Sequence, residues 1–558
     1  MDKRTILAFA LSFVILVGWS LFFGPEPDST PDKQKAESPA QKPPEEVSEA
    51  PAASKPASPP PAEPAPEQPR SPVSPQTDEK LIEIDTPLYK ATFSNVGPAV
   101  RSFKLKKYRQ TTRPDSPLIE LVTVNPDNGN FLGVEFHRHT SGNDPVQTFQ
   151  VEESSITLSP QSEPRDVSFT ATTREGLTIH KTFRFYPNQY RIDLNLDVTN
   201  RSENRVEGVF KAAVNARPPD DKGGYYAYAG LAALLNGELE EVEVEDPGEQ
   251  KRLDGKVGWI AYEDNYFISA LVPEVPAKGV ITGRMSPEGI VEGRYLPPAT
   301  ALRPGEQATS HYQLYLGPRD LGIMKDFGQG LDKAINFGWT DIIAKPLLYL
   351  LRFFDQYIHN YGLSIILLTI LVKILFWPLT HKSYKSMKEM QKLQPRMAKI
   401  REKYKNDKQK LNQEMMSLYK TYKVNPMGGC LPMVIQIPVF FALFRVLGNC
   451  IELRHAPFML WINDLSAPDR LFHFPFSIPF MSPPYGIPVL TLLMGASMFL
   501  QQKMTPTPGD PTQAKIMMFL PIIFTFMFIN FPSGLVLYWL INNLLSIGQQ
   551  YRIYKKSV

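Results

Sequence analysis

Cysteine is scarce: 558 residues contain two, Cys430 and Cys450, and neither lies in the long middle stretch. A secreted scaffold stapled by disulfides is therefore excluded. If 430–450 is one helix, the two sulfurs stand roughly 30 Å apart along it. A bridge needs Cα atoms closer than about 7 Å, so both are expected to be free thiols packed as small hydrophobes. No phosphate-cradling glycine loop is visible, so no nucleotide and no ATP hydrolysis are expected. The stretch 81–316 shows no nucleophile elbow and no metal-ligand spacing, and no cofactor is expected. His137 and His139 stand two apart, as ligands on one strand face would. With no third ligand nearby, a surface strand pair is the expectation.

Aromatic residues are missing from 25–80, which instead holds 16 of the 53 prolines. Such a stretch buries too little apolar surface to offset the entropy of ordering. It reads as a disordered, partly polyproline-II linker. Charge is present but segregated. The net +3 is the remainder of 24 basic and 9 acidic residues in 345–558 against 34 and 47 in 25–344. One uniform soluble domain is excluded, and so is a nucleic-acid binder with a single basic face.

Long apolar runs fall at the two ends of the chain. Residues 1–24 carry Lys3 and Arg4 before an apolar run from Ile6 to Phe23. An uncleaved signal anchor is expected, a removed signal peptide being the alternative. Five further spans are expected at 361–379, 431–447, 485–500, 516–531 and 534–550. Between them, 380–424 holds 13 Lys and Arg against 4 acidic residues, and the tail 551–558 is basic. Loop 449–484 is nearly balanced. The positive-inside rule then places both termini and 380–424 in the cytoplasm, with 25–344 and 449–484 outside. Several spans fall short of the ~20 residues a bilayer requires, so local membrane thinning is expected, the alternative being that these limits are drawn too tightly.

Residues 81–320 alternate apolar and polar side chains with period two, as in 81–84, 178–185 and 190–198. Pro187-Asn188 separates two of these runs as a turn. One large antiparallel β-sandwich is expected. Leu331, Ile335, Trp339, Ile342 and Ile343 recur near helical spacing. They suggest an amphipathic helix over 331–355 in the outer interface, or else one packed on the domain. Within 380–424, Met387, Met390, Leu393, Met397, Ile400 and Tyr404 form one helical stripe. Leu411, Met415, Leu418 and Tyr422 form a second. Asn406-Asp407 is the turn between them, and an antiparallel coiled-coil hairpin follows. Pro395 should kink or loosen the first helix. Methionine-rich seams suit varied partners or plain core filling.

Lys373 carries the strongest functional signal. A cation inside a span is costly and marks function, unless it snorkels to the interface. Thr369 shares its face, Gln436 lies in the next span, and Trp539, Asn542 and Asn543 share a face of the last. Together they are expected to line a polar cavity in the inner half of the bundle. No acidic residue lies deep in any span, which suits transient pairing with a carboxylate on a visiting chain.

Asn425-Pro-Met-Gly-Gly-Cys430 and Phe531-Pro-Ser-Gly-Leu-Val-Leu-Tyr538 open two of the spans. Leu453-Arg-His-Ala-Pro-Phe458 and Asp464-Leu-Ser-Ala467 lie between. In these motifs the chain resembles the bacterial YidC/Oxa/Alb membrane insertases, in their six-span Gram-negative form. The resemblance implies a periplasmic super-β-sandwich and a five-helix transmembrane insertase core around a hydrophilic groove. That groove opens to cytoplasm and lipid. It implies nascent membrane proteins as substrates, with the Sec translocon and its accessory subunits, the ribosome and anionic lipids as partners. Tyr538 joins the groove residues on this basis. The family carries an arginine where this chain has Lys373, which keeps the charge without the bidentate fork. Thr369 matches a family threonine, and Trp539 stands where a tyrosine is often found. A secondary transporter would show inverted repeats and intramembrane acids, and neither is visible. A membrane-anchored periplasmic binding module leaves the short polar-faced spans unexplained.

Overall fold

The computed structural model describes residues 79–124, 130–138, 148–219, 228–244, 246–422, 424, 431–505 and 511–555. The expected signal anchor, nearly all of the Pro-rich linker, His139, Cys430 with its motif, and the last three residues lie outside that set. Residues 79 and 80 already contact the first sheet. Arg101 pairs with Glu79 at 3.1 Å, and the Lys80 amide donates to Asn95 at 2.7 Å.

Residues 81–318 form two sheets, one of five strands and one of thirteen. Their pairings are antiparallel apart from Leu81–Asp85 against Ser155–Thr157. The three alternating runs become strands Leu81–Asp85, Leu177–Phe185 and Arg191–Asn200. In the last, Ile192, Leu194, Leu196 and Val198 are buried while the intervening residues are not, as a pleated strand with one covered face requires. Phe93 of the smaller sheet meets Phe183 and Phe185 of the larger, at 5.1 and 5.3 Å between centroids. The two sheets thus share a core. His137 lies in strand Leu132–Arg138, opposite Val209.

Nine helices are described after the sheets. They are α1 Leu321–Phe327, α2 Asp341–Ile358, α3 Tyr361–Leu375, α4 Trp377–Lys403, α5 Lys408–Thr421, α6 Leu431–Asn449, α7 Val489–Met504, α8 Pro511–Phe528 and α9 Ser533–Lys555. The expected amphipathic helix over 331–355 is shorter at its start. Leu331–Ala334 and Gly338–Thr340 are 3-10 turns, and the α-helix begins at Asp341. Glycines at 330 and 338 take φ of +71° and +62° there, which interrupts the helical run.

The apolar stretch 361–379 is two helices, bent by 64° at Phe376. Pro378 lies at the start of α4. Its ring lacks an N–H and would clash with the carbonyl four residues earlier, so α3 stops before it. Pro395, by contrast, leaves α4 continuous. Among the described residues no single helix is long and apolar enough to cross a membrane, whereas the bent pair α3–α4 together is. The stretch 485–500 also divides, with strand Tyr485–Ile487 preceding α7. Helices α7 and α8 approach closely at Gly495, where a Cβ would lie 2.1 Å from Thr525 Oγ1.

The hairpin of α4 and α5 has its own small core. Met390, Leu393 and Met397 are buried, with Met415, Leu418, Tyr419 and Val424 against them. Met387, Ile400 and Leu411 are half-buried along the same seam. Tyr422, expected in the stripe, is exposed and lies under the Arg396 guanidinium at 4.7 Å. Tyr419 takes its place. The Asp407 side chain caps α5 by accepting from the Lys410 amide at 3.0 Å.

Candidate functional site

Lys373 lies in the last turn of α3, before the bend. The sequence placed it deeper, in a span running to 379. The helix instead ends at Leu375, two residues past Lys373, and the chain bends at Phe376. The side chain is 6 % exposed. Its Nζ donates to Ser546 Oγ at 2.6 Å and to Asn542 Oδ1 at 3.4 Å, both on α9. Among the described residues no carboxylate forms an ion pair with it.

The remaining expected residues divide among three surroundings. Gln436 Nε2 donates to the same Asn542 oxygen at 3.2 Å, and the Tyr538 hydroxyl lies beside Gln436. These groups and Lys373 form one connected polar cluster between α3, α6 and α9. Thr369 is buried nearby, but its hydroxyl donates to its own helix, to the Ile365 carbonyl at 2.7 Å. Asn543 turns to α7 and donates to Ser497 Oγ at 3.0 Å. Trp539 joins an aromatic group, with Phe528 and Phe440 at 4.6 and 4.7 Å. The three residues expected on one polar face of α9 therefore meet three different neighbours, because a helix packed on several sides has no single inner face.

Several polar partners were not singled out from sequence. Ser546 is the shortest contact of Lys373. Gln549 Nε2 donates to Thr380 Oγ1 at 2.9 Å. Lys388 Nζ donates to the Ile553 and Tyr554 carbonyls at 3.1 and 3.0 Å, tying the hairpin root to the end of α9. The signal was present: 546, 549 and 553 follow Asn542 at helical spacing.

The far end of the bundle is held by charges of loop 449–484. Asp469 accepts from the Leu490 amide at the start of α7. The adjacent Arg470 donates to the Ile529 carbonyl, just past α8, at 2.8 Å. One dipeptide thus closes the positive end of one helix and the negative end of its neighbour. Arg454 donates to the Arg109 carbonyl at 2.8 Å and lies over the Phe267 ring at 5.5 Å, so this loop also grips the β domain. Arg352 of α2 stands between Asp320 at 3.3 Å and Glu452 at 3.7 Å. Burial pushes the Glu452 carboxyl up to about 7.

Two family models divide the chain between them. The "YidC periplasmic domain" matches residues 81–350 and the "60Kd inner membrane protein" matches 353–558. The join falls inside α2. Full-length relatives agree. The membrane protein insertase YidC of Syntrophus aciditrophicus is 44 % identical over all of both chains. That of Syntrophobacter fumaroxidans is 42 % identical over 99 % of each. The chain belongs to the YidC membrane protein insertase family. A crystal structure titled as an active YidC insertase with its first transmembrane domain resolved aligns with 85 % of this chain and 93 % of its own. It does so at 20 % identity and a TM-score of 0.36, too slight a likeness to add to that assignment. By family, then, the β-rich part is a periplasmic domain and the helical part belongs to an inner membrane protein.

Proposed function

We propose that this protein inserts inner-membrane proteins and helps them fold, alone or with the Sec translocon and its accessory subunits. The observation that carries the reading is the Lys373 ammonium, buried among helices with only neutral partners. A buried cation without a carboxylate costs free energy that an acidic group on a visiting chain would offset. Asn542, Gln436 and Tyr538 offer neutral hydrogen bonds to the polar flank that must cross.

Both termini and the α4–α5 hairpin face the cytoplasm, and the β domain faces the periplasm. Helix α7 has 16 residues, about 24 Å at 1.5 Å per residue, against a hydrocarbon core of ~30 Å. Such a bundle thins the bilayer around it and shortens the crossing. The hairpin meets the nascent chain, its ribosome or anionic headgroups through its basic surface. Insertion is driven by partition of apolar surface into lipid, with no nucleotide and no chemical step.

Reconstitution of the purified chain into vesicles with a small single-span substrate tests this. Protease protection of the substrate tail without ATP is expected. Passive solute flux without protection would favour a transporter instead.

A further inference from the structure

The loop between α6 and α7 presents a surface that the reading above does not use. From Leu471 to Gln502 there is no Lys, Arg, Asp or Glu. The first part of this run is a short hairpin, Leu471–Phe474 paired with Tyr485–Ile487. Its apolar side chains point outward: Phe472 is 65 % exposed, Phe480 83 %, and Leu460 on the preceding turn 82 %. Phe474 and Phe476 stack in parallel beside them, 5.3 Å between centroids.

Two observations show that this exposure is held in place. Leu460, Phe472 and Phe480 take φ of +58°, +59° and +63°. Bulky residues pay for that conformation, and such strain gathers at functional surfaces. The backbone beneath is also pinned. Asn530 donates to the Phe480 carbonyl at 3.0 Å and accepts from the Ser482 amide at 2.8 Å. Arg470 donates to the Pro484 carbonyl at 2.9 Å.

We infer that this hairpin is immersed in the outer leaflet of the membrane, at the boundary of headgroups and acyl chains. The inference rests on α7 and α8 spanning the bilayer as proposed. The occupant is lipid: an uncharged run with exposed Phe side chains partitions to the boundary of headgroups and acyl chains. The hairpin is also continuous with α7, whose exposed Leu492, Leu493, Phe499 and Leu500 face lipid on that reading. It supplies, on the outer side, apolar surface that a 16-residue helix lacks.

The test uses the full chain with Cys430 and Cys450 replaced by Ala, reconstituted alone into phosphatidylcholine–phosphatidylglycerol vesicles. An environment-sensitive dye is attached at Phe480→Cys, Leu492→Cys or Lys107→Cys in separate preparations. Lys107 is exposed on the β domain. Dyes at 480 and 492 should be quenched severalfold more by lipid bearing a nitroxide near its headgroup than by aqueous iodide, and the dye at 107 the reverse. Lipid quenching at 492 with iodide quenching at 480 overturns the inference and leaves the spanning helices standing. Iodide quenching at both overturns the spanning reading itself. Iodide quenching at 480 that disappears only on adding purified Sec translocon assigns the surface to a protein and also overturns the inference.

Discussion

Lys373 and Ser546 are joined by a 2.6 Å hydrogen bond from ammonium to hydroxyl, across 173 residues of chain. The pair brings the last turn of α3 against α9 and gives a buried cation a neutral partner. The second partner, Asn542, shares its oxygen with Gln436. A neutral shell of this kind holds the charge without cancelling it.

Lys373→Ala should lower insertion of small substrates with acidic translocated tails, and Lys373→Arg should restore most of it. Ser546→Ala should cost about 1–3 kcal/mol of stability, since it takes a partner from a buried charge. Protease protection of substrate in depleted cells checks the first two, and thermal unfolding in detergent the third. Full insertion by Lys373→Ala would sink the proposed role of the charge.

Asp469→Ala should loosen the start of α7. Loss of a capping carboxylate typically costs about 1–2 kcal/mol, read as a lower Tm of the purified chain. An unchanged Tm would mean the Asp469 contacts with Leu490 and Trp461 contribute nothing net.

The junction of β domain and helices should be sensitive to pH. Burial raises the Glu452 and Glu263 carboxyls from 4.5 to about 7. The folded state then keeps protons that the unfolded state releases. Unfolding free energy should fall as pH rises from about 4.5 to about 7, with the full loss present above that window. Glu452→Gln should flatten part of the fall, measured as the difference between its pH–stability profile and that of the parent. Parallel profiles would show that Glu452 titrates normally.

Deleting 384–423 should abolish most insertion while the rest of the chain stays folded and membrane-bound. The basis is that Met390, Leu393 and Met397 form a core separate from the main one. Co-sedimentation with membranes and the substrate protection assay separate the two effects. Aggregation of the deleted chain would show that the hairpin is needed for folding.

Much of the architecture is local in origin and was legible from residue order alone. Period-two alternation specified the strands around 81–85, 177–185 and 191–200, because a pleated strand with one covered face has no other solution. The 3.5-residue stripe specified the α4–α5 hairpin, and Asp407 its turn. The motifs beginning at Asn425, Leu453, Asp464 and Phe531 carry the resemblance to the family and need no tertiary contact to be read. Lys373 was singled out because a lysine amid Ile and Leu is costly wherever the chain folds.

What lies around Lys373 was decided only in three dimensions. Whether α3 ran through residue 376 turned on one proline against a long apolar stretch. Which way Trp539, Asn542 and Asn543 face turned on which helices pack around α9. The same holds for Asp469 and Arg470, which residue order gives only as two opposite charges within loop 449–484. Their meaning as paired helix caps depends on where α7 begins and α8 ends. Residue order determines periodicity, charge and the local cost of burial. Partner choice belongs to the tertiary structure, because it requires groups more than 150 residues apart, such as Lys373 and Ser546, to arrive at one point.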